Sequence, residues 1–300
     1  MKILTLGGAV NVVLNLFFVL VCGRSVDGVA AATVLSNALC ALLFVRKLMK
    51  SELFQLKLSQ IGIRKTPFLK ILHIGLPAGV QSMLIQSSVI TVNTLTAPSD
   101  AAFAPVVKGV SAATGIEGFA NIAVNAVGQA AVCFVGQNAG AQNYKRVRSV
   151  RRCCYLIGAG AAILFGSLLI LARVPLFSLY GIHRAALGSV ERMAYDAAEI
   201  RTFYMLVPYI FLAFMEVGSG TMQGLGRAVT AACVSLAGSC VFRVVWLLAV
   251  FPKHQTLACI FVSFPLSWLL TSAVHFICAE VILKRLERAS ESAKTEKQLL

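Results

Sequence analysis

Charge is what this chain has least of. Asp, Glu, Lys and Arg make up 13% of its 300 residues, against about 25% in an ordinary soluble domain. The shortage is steepest among acids, with 12 Asp and Glu against 27 Lys and Arg. So little charge cannot clothe a water-facing surface, and 58% apolar content excludes intrinsic disorder as well. Histidine is also scarce: His73, His183, His254 and His275 fall on separate segments without metal-ligand spacing, so structural roles are expected. The nine cysteines sit mostly in apolar runs, and the adjacent Cys153 and Cys154 do not make a C-x-x-C. Reduced, buried thiols are therefore expected, with neither a disulfide framework nor a zinc site. No nucleophile-elbow, H-E-x-x-H, P-loop or dinucleotide-binding motif occurs in a usable context, so no enzyme, catalytic residue, cofactor or metal centre is expected.

What the chain does have is long apolar runs and a mean hydropathy of +0.81. Crossing a bilayer takes about 20 residues. Eight runs qualify, at residues 3–22, 28–49, 67–96, 101–135, 147–171, 195–221, 227–251 and 256–283. The first lacks a small-residue cleavage site, so no cleavable leader is expected. This predicts an all-α, polytopic integral membrane bundle of eight spans. The net charge of +15 would suggest nucleic acid in a soluble protein. Here the bases lie between the apolar runs, where they report topology instead. Seven follow the second run: Arg46, Lys47, Lys50, Lys57, Arg64, Lys65 and Lys70. Five follow the fourth: Lys145, Arg146, Arg148, Arg151 and Arg152. Another five follow the eighth, from Lys284 to Lys297. The alternate connections are poorer, with Arg24 alone in the first, none between runs three and four, and Lys253 alone between runs seven and eight. This alternation puts both termini in the cytoplasm, across a cell membrane. The connection 50–66 alternates apolar and basic residues and reads as a surface-lying segment in contact with lipid. The tail after Leu283 reads as a helix extension that frays into disorder.

The chain is organised around residues 115–154, GIEGFANIAVNAVGQAAVCFVGQNAGAQNYKRVRSVRRCC. Glu117, Asn121, Asn125 and Gln129 follow one another at steps of four, which predicts one polar helix face. Such a face either lines a polar pathway or hydrogen-bonds a neighbouring helix, and an ionisable Glu117 favours the pathway. Three other spans are polar. The sixth carries Pro208, Glu216, Ser219 and Gln223, with Gly218 and Gly220 admitting a close neighbour or a bend. The seventh carries Arg243 with Ser235 and Ser239 at steps of four. The third carries Pro77, Gln81, Ser82, Gln86, Ser88, Thr91 and Asn93. A lone charge at mid-membrane costs several kcal/mol or more, so Arg243 is expected to pair with Glu216 or Glu117. Either that pair is static, or the carboxylate trades a proton or Na⁺ for a cationic substrate. Glu280 and Lys108 lie near helix ends and are expected to snorkel.

Residues 11–48 and 239–276 can be set side by side as an internal repeat. Each has a short polar start, an aromatic-rich span, a brief turn and a second span. Four spans, from Pro67 to Thr221, lead into the second copy and none leads into the first, which describes two six-helix repeats from which the first four helices are missing.

The chain also resembles the multidrug and toxic compound extrusion (MATE) transporters, closest to the prokaryotic branch. The resemblance rests on GLPAGVQSML at Gly75, the G-Q-N-x-G-A run and its following arginines, MEVGSGTMQGLGRAV at Met215, and VFRVVWLLAVFP at Val241. It implies a twelve-helix protein of two lobes around a central cavity. This chain would hold the complete C-terminal six-helix lobe and the last two helices of the N-terminal lobe. The division is then residues 1–49 for those two helices, 50–66 for the connection, 67–284 for the C-terminal lobe and 285–300 for a cytoplasmic tail. It further implies an antiporter that exports organic cations or drugs by alternating access, driven by Na⁺ or H⁺. Site residues would be Glu117, Asn121, Asn125, Gln129, Glu216, Gln223, Arg243, Gln81 and Gln86, with Na⁺ at Glu117 or Glu216. The chain departs from the family pattern in offering Gln81, Ile85 and Gln86 where some members carry an acid, and Gln223 where an Arg is usual. A lipid-linked oligosaccharide flippase of the same superfamily is the alternative, and an inactive remnant or assembly partner is a third. Partners are small cationic substrates, membrane lipids and the missing N-terminal-lobe helices, and no nucleic acid.

Overall fold

A computed structural model describes residues 2–50, 62, 65, 68, 69, 72, 100–184 and 189–299. Its contacts divide the chain into two units, Met1–Phe68 and Leu69–Leu300. No strand occurs among the described residues. Most of the third span expected from the sequence, including Gln81 and Gln86, lies outside them, as does most of the connection 50–66.

The first unit is a helical hairpin of α1 (Lys2–Leu16) and α2 (Val26–Met49), with a π turn at Phe17–Val21 ending the first arm. Small and polar residues join the arms. Asn11 Nδ2 donates to Ser36 Oγ at 3.1 Å, and the Cys40 thiol packs where a Cβ on Gly7 would stand. Gly23 makes the turn at a φ of 62°, a left-handed conformation that glycine adopts without steric cost.

The second unit is built on α3 (Asp100–Gly140). Gln142 turns the chain at a φ of 55°, and the Asn143 side chain accepts from the Arg146 backbone N–H at 3.1 Å to start α4 (Tyr144–Leu171). This cap satisfies one of the donors a helix start leaves free. The short α5 (Arg173–Leu179) follows, and Ser189 caps α6 (Val190–Leu206) in the same way. The expected sixth span is not one straight helix. α6 and α7 (Tyr209–Gly224) meet at a bend of 49°, because Pro208 has no N–H to donate back along the helix. The seventh is interrupted too: α8 (Ala228–Ser235), a π turn at Leu236–Val241, and α9 (Phe242–Ala249). The last helix, α10 (Leu257–Leu299), stays helical through the tail that the sequence suggested would fray.

Six of these helices or helix runs are long and apolar enough to cross a membrane, and the bent α6–α7 pair makes a seventh. Lipid offers no hydrophobic drive between helices, so small residues let backbones approach closely. A Cβ on Gly109 would stand 2.0 Å from the Ala194 carbonyl oxygen, joining α3 to α6, and one on Gly220 would stand 2.4 Å from that of Gly128, joining α3 to α7. Gly218 has the same role against His275 of α10. Gly218 and Gly220 thus serve contact, while Pro208 makes the bend.

One end of α4 is tied to α10 by a charge network. Arg148 binds Glu280 and Glu287, and Arg151 binds Glu280 at 2.7 Å. This corrects the expectation that Glu280 snorkels: two arginines hold it. Lys108 also has a fixed partner, donating from Nζ to the Gly181 carbonyl at 3.0 Å.

Candidate functional site

A cleft of about 440 Å³ opens within the second unit among α3, α6, α7, α9 and α10. Glu117, Asn121 and Asn125 reach it from α3, Arg201 from α6, Glu216 from α7 and Arg243 from α9. Phe264 and Trp268 of α10 complete it, meeting edge to face with ring centres 6.3 Å apart.

The pairing inside differs from the sequence expectation. Glu117 binds Arg201, at 3.0 Å from Oε2 to Nη2, and not Arg243. The pair is largely withdrawn from water, with Arg201 2% and Glu117 14% exposed. The Arg201 guanidinium also lies 5.3 Å from the Phe261 ring centre and 5.9 Å from that of Phe264. Arg243 approaches Phe264 more closely, at 4.1 Å, and its Nε donates to Ser267 Oγ at 3.1 Å. Among the described residues no carboxylate lies within ion-pair distance of Arg243, and no cation within that distance of Glu216. Arg243, expected to pair with Glu216 or Glu117, is thus held against an aromatic ring at ion-pair distance from neither, and Glu216 faces the cleft.

The remaining residues separate by geometry. Asn125 Nδ2 donates to Asn121 Oδ1 at 2.7 Å, making one amide unit of the two. Gln129 is exposed and outside the cleft, which corrects the expectation of four side chains on one face. Each step of four overshoots an α-helical turn by about 40°, so three steps carry Gln129 about 120° away from Glu117. Ser235, Ser239 and Arg243 follow the same spacing yet all stay buried. The π turn between them is wider than an α turn and offsets that drift. Gln223 also lies outside the cleft, donating to Ser219 Oγ at 3.1 Å. Among the described residues no group of three His, Cys, Asp or Glu side chains could hold a metal ion.

The MatE family model matches residues 77–247, more than half of the chain. The chain belongs to the MatE family. Solved structures agree with this at the level of fold. One is an outward-facing multidrug resistance MATE family transporter of the MOP superfamily, similar at a TM-score of 0.78 and 18% identity over 96% of this chain. Another is a MOP superfamily transporter from Pyrococcus furiosus, described by a reversed polarity of its binding pocket that suggests a different function. It has the same TM-score and identity. An inward-facing MATE family transporter is similar at a TM-score of 0.66 and 18% identity. The chain spans 63% of the length of the first two and 65% of the third. No curated protein sequence matches it. Its family and its apolar helices make this MatE chain a multi-pass membrane protein.

Proposed function

We propose that this MatE chain forms the C-terminal lobe, with two further helices, of a cation-coupled antiporter that exports organic cations by alternating access. Glu216 is its exchange site. The observation that carries this reading is the contrast between the two acids of the cleft: Arg201 neutralises Glu117, whereas Glu216 faces the cavity without a cation beside it among the described residues. A carboxylate in such a place accepts one positive charge at a time. Occupancy by the coupling ion therefore excludes the organic cation, and the movement of one drives the other. Oxygen donors for a hard ion such as Na⁺ are at hand in the amide unit of Asn121 and Asn125 and in the Ser239 hydroxyl. H⁺ needs the carboxylate alone. The alternation of Lys- and Arg-rich connections supports both termini in the cytoplasm and a site in the cell membrane.

Everted membrane vesicles containing the protein test this when ethidium movement is followed under an imposed Na⁺ gradient and, separately, a pH gradient. The expected result is ethidium movement under one of the two gradients. Movement under neither, with the protein inserted, contradicts the antiporter reading. Arg243, which has no carboxylate within ion-pair distance among the described residues, favours a second reading in which the cleft takes an anionic headgroup, as in a lipid-linked oligosaccharide flippase. A short-chain lipid-linked sugar phosphate offered to the same vesicles separates the two. Movement of neither compound would leave an inactive remnant or assembly partner.

A further inference from the structure

We infer that Arg201 is a tethered competitor of the transported cation: its guanidinium occupies the Glu117 and aromatic contacts that an incoming organic cation takes over when it binds. The inference rests on the organic-cation reading of the cleft and adds a specificity-setting residue to it.

An organic cation is held by a carboxylate for its charge and by aromatic faces for its apolar, weakly hydrated body. The cleft contains that combination already filled from within. Arg201 sits 3.0 Å from the Glu117 carboxylate and 5.9 Å from the ring centre of Phe264, both lining the cleft, and it also packs on the fully buried Phe261. Arg243 occupies Phe264 at 4.1 Å. With Glu117, Glu216, Arg201 and Arg243 all in their ordinary charge states, the cleft is balanced. A buried carboxylate left alone would be costly, so an internal counter-charge keeps the empty lobe stable. The same counter-charge must give way before a substrate cation can use Glu117.

The chain path provides the means. Arg201 lies on α6 and Glu216 on α7, on opposite sides of the 49° break at Pro208. Glu216 is fixed to α3 through the close contact of Gly128, whose added Cβ would stand 3.3 Å from Glu216 Cβ. α6 is held to α3 as well, by the close approach of Gly109 to Ala194, so it is the long Arg201 side chain that gives way at Glu117 while Glu216 stays in place. Binding at Glu216 and release of Arg201 from Glu117 become two separable events in one cleft.

The test is equilibrium binding of tetraphenylphosphonium to the purified chain in nanodiscs, measured for the parent and three variants. Arg201→Gln removes the competitor and is expected to bind about tenfold tighter, equivalent to about 1.4 kcal/mol of released competition. The double variant Glu117→Gln/Arg201→Gln removes both partners and is expected to lose that gain. Arg201→Lys keeps the charge but stacks less well on the rings, and is expected to fall between parent and Arg201→Gln. It also serves as the readout if Arg201→Gln does not fold. Binding by Arg201→Gln, or in its place Arg201→Lys, no tighter than the parent overturns the inference while leaving the organic-cation reading standing. Equal gain in the double variant also overturns it, because the gain would not pass through Glu117. No binding by the parent or any variant removes the organic-cation reading itself, and the inference with it.

Discussion

Glu216→Gln is expected to abolish gradient-driven export of organic cations while leaving the protein as stable as the parent. Glutamine has nearly the same shape, so the contact between α7 and Gly128 of α3 survives the change. What is lost is the negative charge that, in the proposed exchange, holds the coupling ion and the substrate in turn. No ion pair breaks, because Glu216 has no cationic partner among the described residues. Glu117→Gln should behave differently, although the sequence treats the two acids alike. It leaves the Arg201 guanidinium buried beside a neutral amide. Breaking a buried pair from one side costs about 3–5 kcal/mol, so this variant should lose thermal stability as well as transport. Transport in vesicles and melting temperature in detergent, measured on both variants, check the distinction. Equal melting losses for Glu216→Gln and Glu117→Gln would show that Glu216 is structural.

Gly220→Leu is expected to destabilise the second unit more than any substitution of an exposed residue. The first atom of the new side chain would stand 2.4 Å from the Gly128 carbonyl oxygen. Its obstacle is backbone on a neighbouring helix, which no rotamer change can move aside. α3 and α7 would have to separate, opening contacts down to Gly136 and Gly224, where the helices also approach closely. Overpacking costs about 1–3 kcal/mol where side chains can adjust, and this site should reach or exceed the upper figure. Gly160→Leu is the control. It lies on the exposed side of α4, with nothing within 4 Å of an added Cβ, and its melting temperature should match the parent.

The fold was legible in the sequence because apolar runs of spanning length and clusters of Lys and Arg between them leave little choice of architecture. In the sixth run the sequence offered Gly218 and Gly220 for a close neighbour or a bend; they serve contact, and the break falls at Pro208 instead. The π turn at Leu236–Val241 carried no signal, since its residues are those of any apolar helix. In the site, Glu117, Asn121, Asn125, Glu216 and Arg243 stood out as polar groups in apolar surroundings, and the fold brings them to one cleft. Gln129 was misplaced by reading steps of four as if they did not drift. Arg201 was missed although it, too, is a charge inside a spanning run. It stands near Glu191, Arg192, Asp196 and Glu199 and so reads as part of a charged connection. Its pairing with Glu117, 84 residues away, depends on how α3 and α6 pack, which spacing along the chain cannot supply.

The central claim is that Glu216 is the accessible, exchangeable carboxylate of the cleft and Glu117 the one tied up by Arg201. Dicyclohexylcarbodiimide, an apolar reagent that attacks carboxyl groups within membranes, measures this directly when its sites are mapped by peptide mass spectrometry. The account predicts modification of Glu216 ahead of Glu117, with Glu216 protected by tetraphenylphosphonium. Modification of Glu117 first, or of Glu216 at a rate that the organic cation leaves unchanged, would contradict it.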